Sequence, residues 1–215
     1  MKIAKGSKSY ILTPFFIGII FLLLTLYYNF SALGLLFLLL TLITFRITSF
    51  IFLFFRDPDR VIGKDIVASA DGKIIEIAEE KDDDVGDCTK ISTFMNLYNV
   101  HVNRTPIEGT IRSIEHKSGF HIPAFKKESE KNERVILILD TKIGPIKIIQ
   151  IAGTIARRIV PYVKKRDKLK KGEKIGIIRF GSRVDVYLPK KIKDINVKKG
   201  DKVKAGESTI AKIND

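Results

Sequence analysis

The chain has 215 residues, 45% of them hydrophobic, and its 38 Lys and Arg against 24 Asp and Glu give a formal charge of +14. A single cysteine, Cys88, excludes an intrachain disulfide framework. No nucleic-acid-binding motif accompanies the charge, and Lys and Glu interleave through 126–134 and 164–174, so the surface is read as one suited to an anionic membrane rather than to nucleic acid.

The N-terminal part is set apart by composition. Residues 1–56 hold no Asp or Glu, and their only bases are Lys2, Lys5, Lys8, Arg46 and Arg56. Ile11 to Tyr28 is an uncharged run of 18 residues, near the minimum for crossing a bilayer. Asn29-Phe30-Ser31 breaks it, Ala32 to Phe45 resumes it, Arg46 interrupts the pattern, and Ile47 to Phe55 completes it. This predicts a membrane-anchoring helical hairpin over 1–56, with two spans favoured over a monotopic hairpin. Arg46 either snorkels or marks where the second helix leaves the apolar core. A signal peptide is the poorer reading, because a second apolar segment follows and no small-residue cleavage site ends the first. Lysines precede the hairpin, Arg56 and Arg60 follow it, and the connecting loop is uncharged. Both ends are therefore expected on the cytoplasmic side of the cell membrane.

From Asp57 onward, apolar residues alternate or cluster in short runs bounded by Gly, Pro and Asp. Ile66–Ala70, Lys73–Ala78, Lys90–Phe94, Val135–Leu139, Ile146–Ile151, Ile175–Phe180 and Val184–Leu188 read as strands, and no long stretch has helical periodicity. The prediction is a mostly β catalytic domain over 57–215. The acidic stretch Asp82–Cys88 lacks calcium-loop spacing and has no His or second Cys for zinc, so it is read as a solvated hairpin tip with no metal. Asp167-Lys168-Leu169-Lys170-Lys171-Gly172-Glu173 is echoed at Asp201-Lys202-Val203-Lys204-Ala205-Gly206-Glu207. Such turn-and-strand units resemble the barrel-sandwich folds of lipoyl and biotinyl carriers, but no Lys stands beside a Met at a hairpin tip, which argues against a carrier function.

Three islands are candidates for chemistry. Asp71-Gly72 lies at a turn between two strand-like runs. His101 sits in Asn99-Val100-His101-Val102-Asn103, where alternation puts it on one face with Asn99 and Asn103. Gly181-Ser182 lies within Arg179-Phe180-Gly181-Ser182-Arg183, ahead of the last long strand. Taken singly, these are a hairpin signal, a structural histidine and a turn.

Together they resemble the phosphatidylserine decarboxylase family, in its short single-domain branch, whose members act on phosphatidylserine or archaetidylserine. Further matches lie at Phe55-Arg56-Asp57-Pro58, at Phe120–Phe125 and at Asn132-Glu133-Arg134, so the likeness covers nearly all of 55–215. Two departures from the family's longer branch stand out. Phe180-Gly181-Ser182-Arg183 replaces Leu-Gly-Ser-Thr, and Tyr98 stands where that branch has an additional His.

The resemblance implies a proenzyme that cuts itself between Gly181 and Ser182 into 1–181 and 182–215, which stay together as a heterodimer. It implies His101 as the base that activates Ser182, with Asp71 orienting the imidazole. It also implies a pyruvoyl cofactor formed from Ser182, whose ketone serves as electron sink for decarboxylation of the serine headgroup to the ethanolamine lipid. Arg104, Arg157, Arg158 and Arg183 are candidates to meet the lipid phosphate. The serine headgroup is common to ester-linked and ether-linked lipids, and the Lys and Ile richness leans toward the archaeal ether lipid. Homo-oligomerisation is compatible with such an architecture. Two other readings use the same residues differently: a catalytically silent membrane-tethered β scaffold, and a serine peptidase that leaves its own Ser182 intact.

Overall fold

The computed structural model describes residues 2–29, 31–120, 122–125, 127–154, 158–179 and 182–213. The chain divides into two compact units, Met1–Asp59 and Arg60–Asp215.

The first unit comprises β1 (Lys2–Ile3), α1 (Lys8–Tyr28), α2 (Ala32–Phe54) and β2 (Arg56–Asp57), with β1 and β2 paired antiparallel. Both helices are long and apolar enough to cross a membrane, each with a mean hydropathy of 2.2. Their packing is inside out relative to a water-soluble helix pair. Gly18, Gly34, Thr41 and Thr48 are buried, whereas Phe16, Leu23, Leu26, Leu42 and Leu53 face outward. Small residues at the contact and large apolar ones outside suit a lipid surround, where helices gain from close approach rather than from hiding hydrocarbon. The hydroxyls of Thr25, Thr41, Thr44, Thr48 and Ser49 donate to carbonyls four residues back at 2.7–2.9 Å. No polar hydrogen among these five then needs water. Ser31 caps α2 by accepting from the Gly34 N–H at 3.2 Å. Gly34 is required there, because a Cβ would fall 1.8 Å from the Asn29 carbonyl oxygen. Arg46, expected as an interruption, is an exposed residue inside an unbroken α2.

The second unit is built of strands: β3 (Ile66–Val67), β4 (Gly72–Asp82), β5 (Gly86–Met95), β6 (Val102–Arg104), β7 (Gly109–Lys117), β8 (Arg134–Thr141) and β9 (Gly144–Ala152). It continues with β10 (Ile159–Pro161), β11 (Lys168–Leu169), β12 (Lys174–Ile178), β13 (Ser182–Pro189), β14 (Lys202–Val203) and β15 (Thr209–Ala211). Eight of them form one antiparallel sheet in the order β11-β7-β8-β9-β13-β5-β4-β14. A three-stranded sheet β10-β12-β6 and the pair β15-β3 complete the unit. This is the mostly β domain with an apolar helical hairpin that composition and alternation predict.

Each strand-like run contains a strand, but Ile66–Ala70 shortens to two residues. There the partner changes at almost every step: the Ala68 N–H goes to Ser208, and the Ser69 carbonyl takes the Arg104 N–H. The acidic stretch is the tip of the β4–β5 hairpin, where Asp82 Oδ1 accepts the N–H groups of Asp84 and Val85 and Gly86 takes φ +81°. Lys147 bridges Asp82 and Asp84 at 2.8 and 2.7 Å. The repeated motif has a clear structural meaning. Its two copies supply β11 and β14, the two edges of the large sheet, each followed by a glycine with φ near +76° (Gly172 +76°, Gly206 +77°). Two-residue edges offer little unpaired backbone to a foreign strand.

Between β9 and β5, β13 is buried along its whole length. Alternation turns Val184, Val186 and Leu188 into the core beside Ile91, Ile148 and Leu137. Its other face carries Arg183, Asp185 and Tyr187, all buried.

Candidate active site

Register places Ser182, the first residue of β13, opposite Met95 of β5 on one side and Ala152 of β9 on the other. The residue is fully buried, and its hydroxyl donates to Met95 Sδ at 3.2 Å. A thioether is a weak acceptor, so this hydroxyl is held in place without being strongly committed. Gly181, the other half of the expected cleavage bond, lies outside the described residues, as does Arg157.

His101 is also fully buried, just ahead of β6, and its Nδ1 lies 2.9 Å from the Asn99 carbonyl oxygen. A carbonyl can only accept, so Nδ1 carries the hydrogen and Nε2 keeps the lone pair in the neutral ring. That is the tautomer a general base needs. Val102 pairs with Ile177, and the His101 carbonyl accepts the Ile178 N–H, which fixes the backbone on either side of the ring.

Asp71 stands at the same end of the large sheet as Ser182. Lys73 pairs with Phe94, and Phe94 pairs with Arg183, so the start of β4 and the start of β13 flank the end of β5. Its hydrogen bonds do not go to His101. Arg60 Nη2 donates to both carboxylate oxygens at 3.0 and 2.8 Å, and the Ala205 N–H donates to Oδ1 at 2.8 Å. Arg60 also reaches Glu207 at 3.1 Å, and its own side chain is only 6% exposed. In this conformation the imidazole is thus oriented by the Asn99 carbonyl, and the carboxylate by Arg60.

Two amides complete the site. Asn103, two residues beyond His101, accepts from Gln150 Nε2 at 2.7 Å and directs its own Nδ2 at Met95 Sδ, 3.5 Å away. Asn103 and Gln150 are both fully buried, and Gln150 lies two residues before Ala152 on β9. Gly176 of β12 packs against Gln150: a Cβ there would come 3.1 Å from its carboxamide and 2.8 Å from the Val160 carbonyl oxygen.

The candidate phosphate-binding arginines are dispersed. Arg104 is buried and donates to the Gly172 carbonyl at 2.9 Å. Arg158 is exposed. Arg183 points from the sheet face opposite to Ser182, forks onto Asp185 at 3.1 and 2.8 Å, and meets Ser129 at 3.2 Å. Burial works against the Arg183 charge, but Asp185 beside it leaves the guanidinium pKa raised. Burial likewise pushes Asp185 above the usual carboxylate range, against the pull of Arg183. Through Ser129, whose hydroxyl donates to Ala124, Arg183 ties the 122–131 segment to the strand that begins with Ser182. Tyr98 is 80% exposed in the turn after β5.

Three residues of this arrangement were not singled out as site residues from the sequence. Arg60 reads there as a topological charge beside the hairpin. Asn103 is noticed only as sharing a face with His101. Gln150 had a usable signal, being the sole polar residue in the apolar run Ile148–Ala152.

A buried serine opening a central strand, a buried histidine whose Nδ1 faces a carbonyl, and two buried amides thus stand within one β unit. The phosphatidylserine decarboxylase family model matches residues 47–211. The chain belongs to that family. Across 213 residues it is 42% identical to a protein of Methanococcoides burtonii assigned as an archaetidylserine decarboxylase proenzyme, covering 98% of this chain and 96% of the relative. A Methanosarcina barkeri protein with the same assignment is 44% identical over 214 residues, 98% of both chains. The phosphatidylserine decarboxylase proenzyme of Streptomyces avermitilis is 50% identical over 158 residues, 73% of this chain and 71% of the relative.

Proposed function

We propose that the chain is a self-cleaving, pyruvoyl-dependent decarboxylase of a serine-headgroup phospholipid, with the archaeal ether lipid archaetidylserine as the favoured substrate. The observation that carries the reading is Ser182, fully buried at the head of a central strand, with a weakly held hydroxyl and His101 presenting a basic tautomer in the same unit.

Maturation proceeds by chemistry within the chain. His101 Nε2 takes the Ser182 hydroxyl proton as Oγ bonds to the carbonyl carbon of Gly181. The Gly181–Ser182 C–N bond then breaks and its nitrogen takes up a proton, leaving an ester. Loss of the Ser182 Cα proton and breakage of the Cβ–O bond release the Gly181 carboxylate. Addition of one water and departure of one ammonia leave a pyruvoyl group on the 182–215 fragment. The Asn99 carbonyl accepts from Nδ1 of the imidazolium as it forms. The part that family likeness assigns to Asp71 is played from a carboxylate that Arg60 and the Ala205 N–H hold at the Ser182 end of the sheet. The site suits the group that Ser182 would become: Met95 and Ala152 make an apolar seat, and the Asn103 and Gln150 amides lie next to it. When formed, the ketone supplies an electron sink for loss of carbon dioxide.

The hairpin is proposed to anchor the catalytic unit on the cytoplasmic side, so that lipid reaches it from the bilayer. Two relatives assigned to archaetidylserine align over 98% of this chain, whereas the Streptomyces match extends over 158 residues, and this leans the reading toward the ether lipid. Intact-mass analysis of the purified chain tests the proposal. The expected products are 1–181 and 182–215, with pyruvoyl in place of Ser182, and Ser182→Ala stays whole. A wild-type chain that remains uncut yet releases carbon dioxide from the lipid contradicts it. Assays with ester- and ether-linked serine lipids in parallel identify the substrate tail.

A further inference from the structure

Two donors in the site share one poor acceptor. The Ser182 hydroxyl and Asn103 Nδ2 both point at Met95 Sδ, at 3.2 and 3.5 Å. A buried amide N–H spent on a thioether gives up most of the energy a carbonyl or oxyanion would return. Asn103 is nevertheless fully buried, where an amide is costly to desolvate unless something repays it. Its orientation is imposed from behind. Gln150 Nε2 donates to Asn103 Oδ1 at 2.7 Å, so Oδ1 faces Gln150 and Nδ2 is left facing the sulfur that also accepts from Ser182. Gln150 is itself buried beneath Gly176, and its Oε1 has no hydrogen-bond partner among the described residues. This pair is expensive as structure and aimed as chemistry.

We propose that Asn103 is a catalytic residue of the Ser182 site, supplying through its side-chain amide the N–H that meets the negative charge developing on the acyl oxygen of residue 181, with Gln150 as the positioning residue that aims it. The inference rests on the self-cleavage reading and deepens it. When Ser182 Oγ bonds to the acyl carbon, the electron pair of the C=O bond moves onto its oxygen, and that oxygen lies within two bonds of the Ser182 nitrogen. Asn103 Nδ2 then exchanges a sulfur for an oxyanion. A donor that strengthens its bond only as charge develops lowers the barrier without stabilising the resting chain. No proton is transferred from Asn103; it donates a hydrogen bond and recovers the Met95 contact when the C–N bond breaks.

The test follows self-cleavage of the full-length chain in cell-free synthesis with detergent, reading conversion to 1–181 and 182–215 over time and melting temperature for folding. Wild type and Ser182→Ala are the controls. Asn103→Ala and Asn103→Asp, both without the amide donor, are expected to slow conversion about 10²–10³-fold, the loss found when one oxyanion donor is removed. Gln150→Glu keeps the shape and can donate to Asn103 Oδ1 only while protonated, so its rate relative to wild type is expected to fall as pH rises. A packing role alone would leave that ratio flat. Folded Asn103 variants that convert within about threefold of wild type overturn the inference. If the Asn103 variants do not fold, a pH-independent ratio for Gln150→Glu overturns it. Should wild type itself fail to cut, the self-cleavage reading falls and takes this one with it; if wild type cuts and the variants match it, only this one falls.

Discussion

Arg60→Ala, made in a Ser182→Ala background so that every molecule remains uncut, isolates the clamp at the head of β4. Among the described residues, Arg60 contributes two of the three hydrogen bonds that reach Asp71, and both groups are largely out of water, with side-chain exposures of 6% and 11%. Removing the guanidinium leaves the carboxylate, among the described residues, with the Ala205 N–H. Stranding one member of a buried pair costs about 3–5 kcal/mol. The Glu207 contact adds little, since that carboxylate is 30% exposed and the pair is screened. At about 2–4 °C per kcal/mol for a domain of this size, the melting temperature in detergent should fall by roughly 6–20 °C. Asp71→Asn in the same background removes the stranded charge. The double variant Arg60→Ala, Asp71→Asn should therefore lose less than the sum of the two single losses, by about 0.5–3 kcal/mol. A single-variant shift below about 2 °C, or losses that simply add, would refute the view that Arg60 and Asp71 form one buried unit.

Other outcomes follow from the same geometry. Burial pushes the Glu207 carboxyl up, but Arg60 and Lys204 outweigh it and hold the pKa below its ordinary 4.5. Its stabilising share is therefore present above pH 4.5 and lost as pH falls through the lowered folded value, so Glu207→Gln should flatten that acid limb of a melting-temperature profile. Burial, with Asp82 and Glu80 nearby, raises the Cys88 thiol pKa above 9.0, and its Sγ donates to the Glu80 carbonyl at 3.3 Å. A thiol reagent at pH 8 should label Cys88 only after denaturation; rapid labelling of native protein would contradict its burial. Met95→Leu conserves volume and should cost less than about 1.5 kcal/mol by thermal melting. Conversion of that variant should persist, because the sulfur is a placeholder; arrest in a folded variant would give it a part in the chemistry.

The sequence showed the hairpin and the long strands because both are written in local composition. An uncharged run of bilayer length needs no partner to be recognised, and β8 or β9 alternates strongly enough to read alone. What escaped is defined by partners. β10, β11, β14 and β15 are two or three residues long and exist as strands only because distant segments pair with them. β7 was missed because Gly109–Lys117 carries Arg112, Glu115 and His116 on a half-exposed strand, which blurs its alternation. At the site, Ser182, His101 and Asp71 were reached through family likeness. Arg60 was not, because its meaning depends on Asp71 and on Glu207, which lies 147 residues away. A charge beside an apolar helix looks the same in sequence whether it faces water, lipid phosphate or a buried carboxylate.

The position of β13 has a consequence for how such a molecule is maintained. The stretch from Ser182 onward provides β13 between β5 and β9, β14 against β4, and β15 against β3. A scission at 181–182 would therefore turn a continuous chain into two without giving the shorter one an exit, because leaving would mean opening the middle of an eight-stranded sheet. Nor could a fresh short chain take its place. Each chain would thus have one opportunity to make its reactive group, and a spoiled group would be beyond repair by exchange. The number of working sites in the cell would follow synthesis of whole chains, and replacement would mean destroying and rebuilding the entire protein.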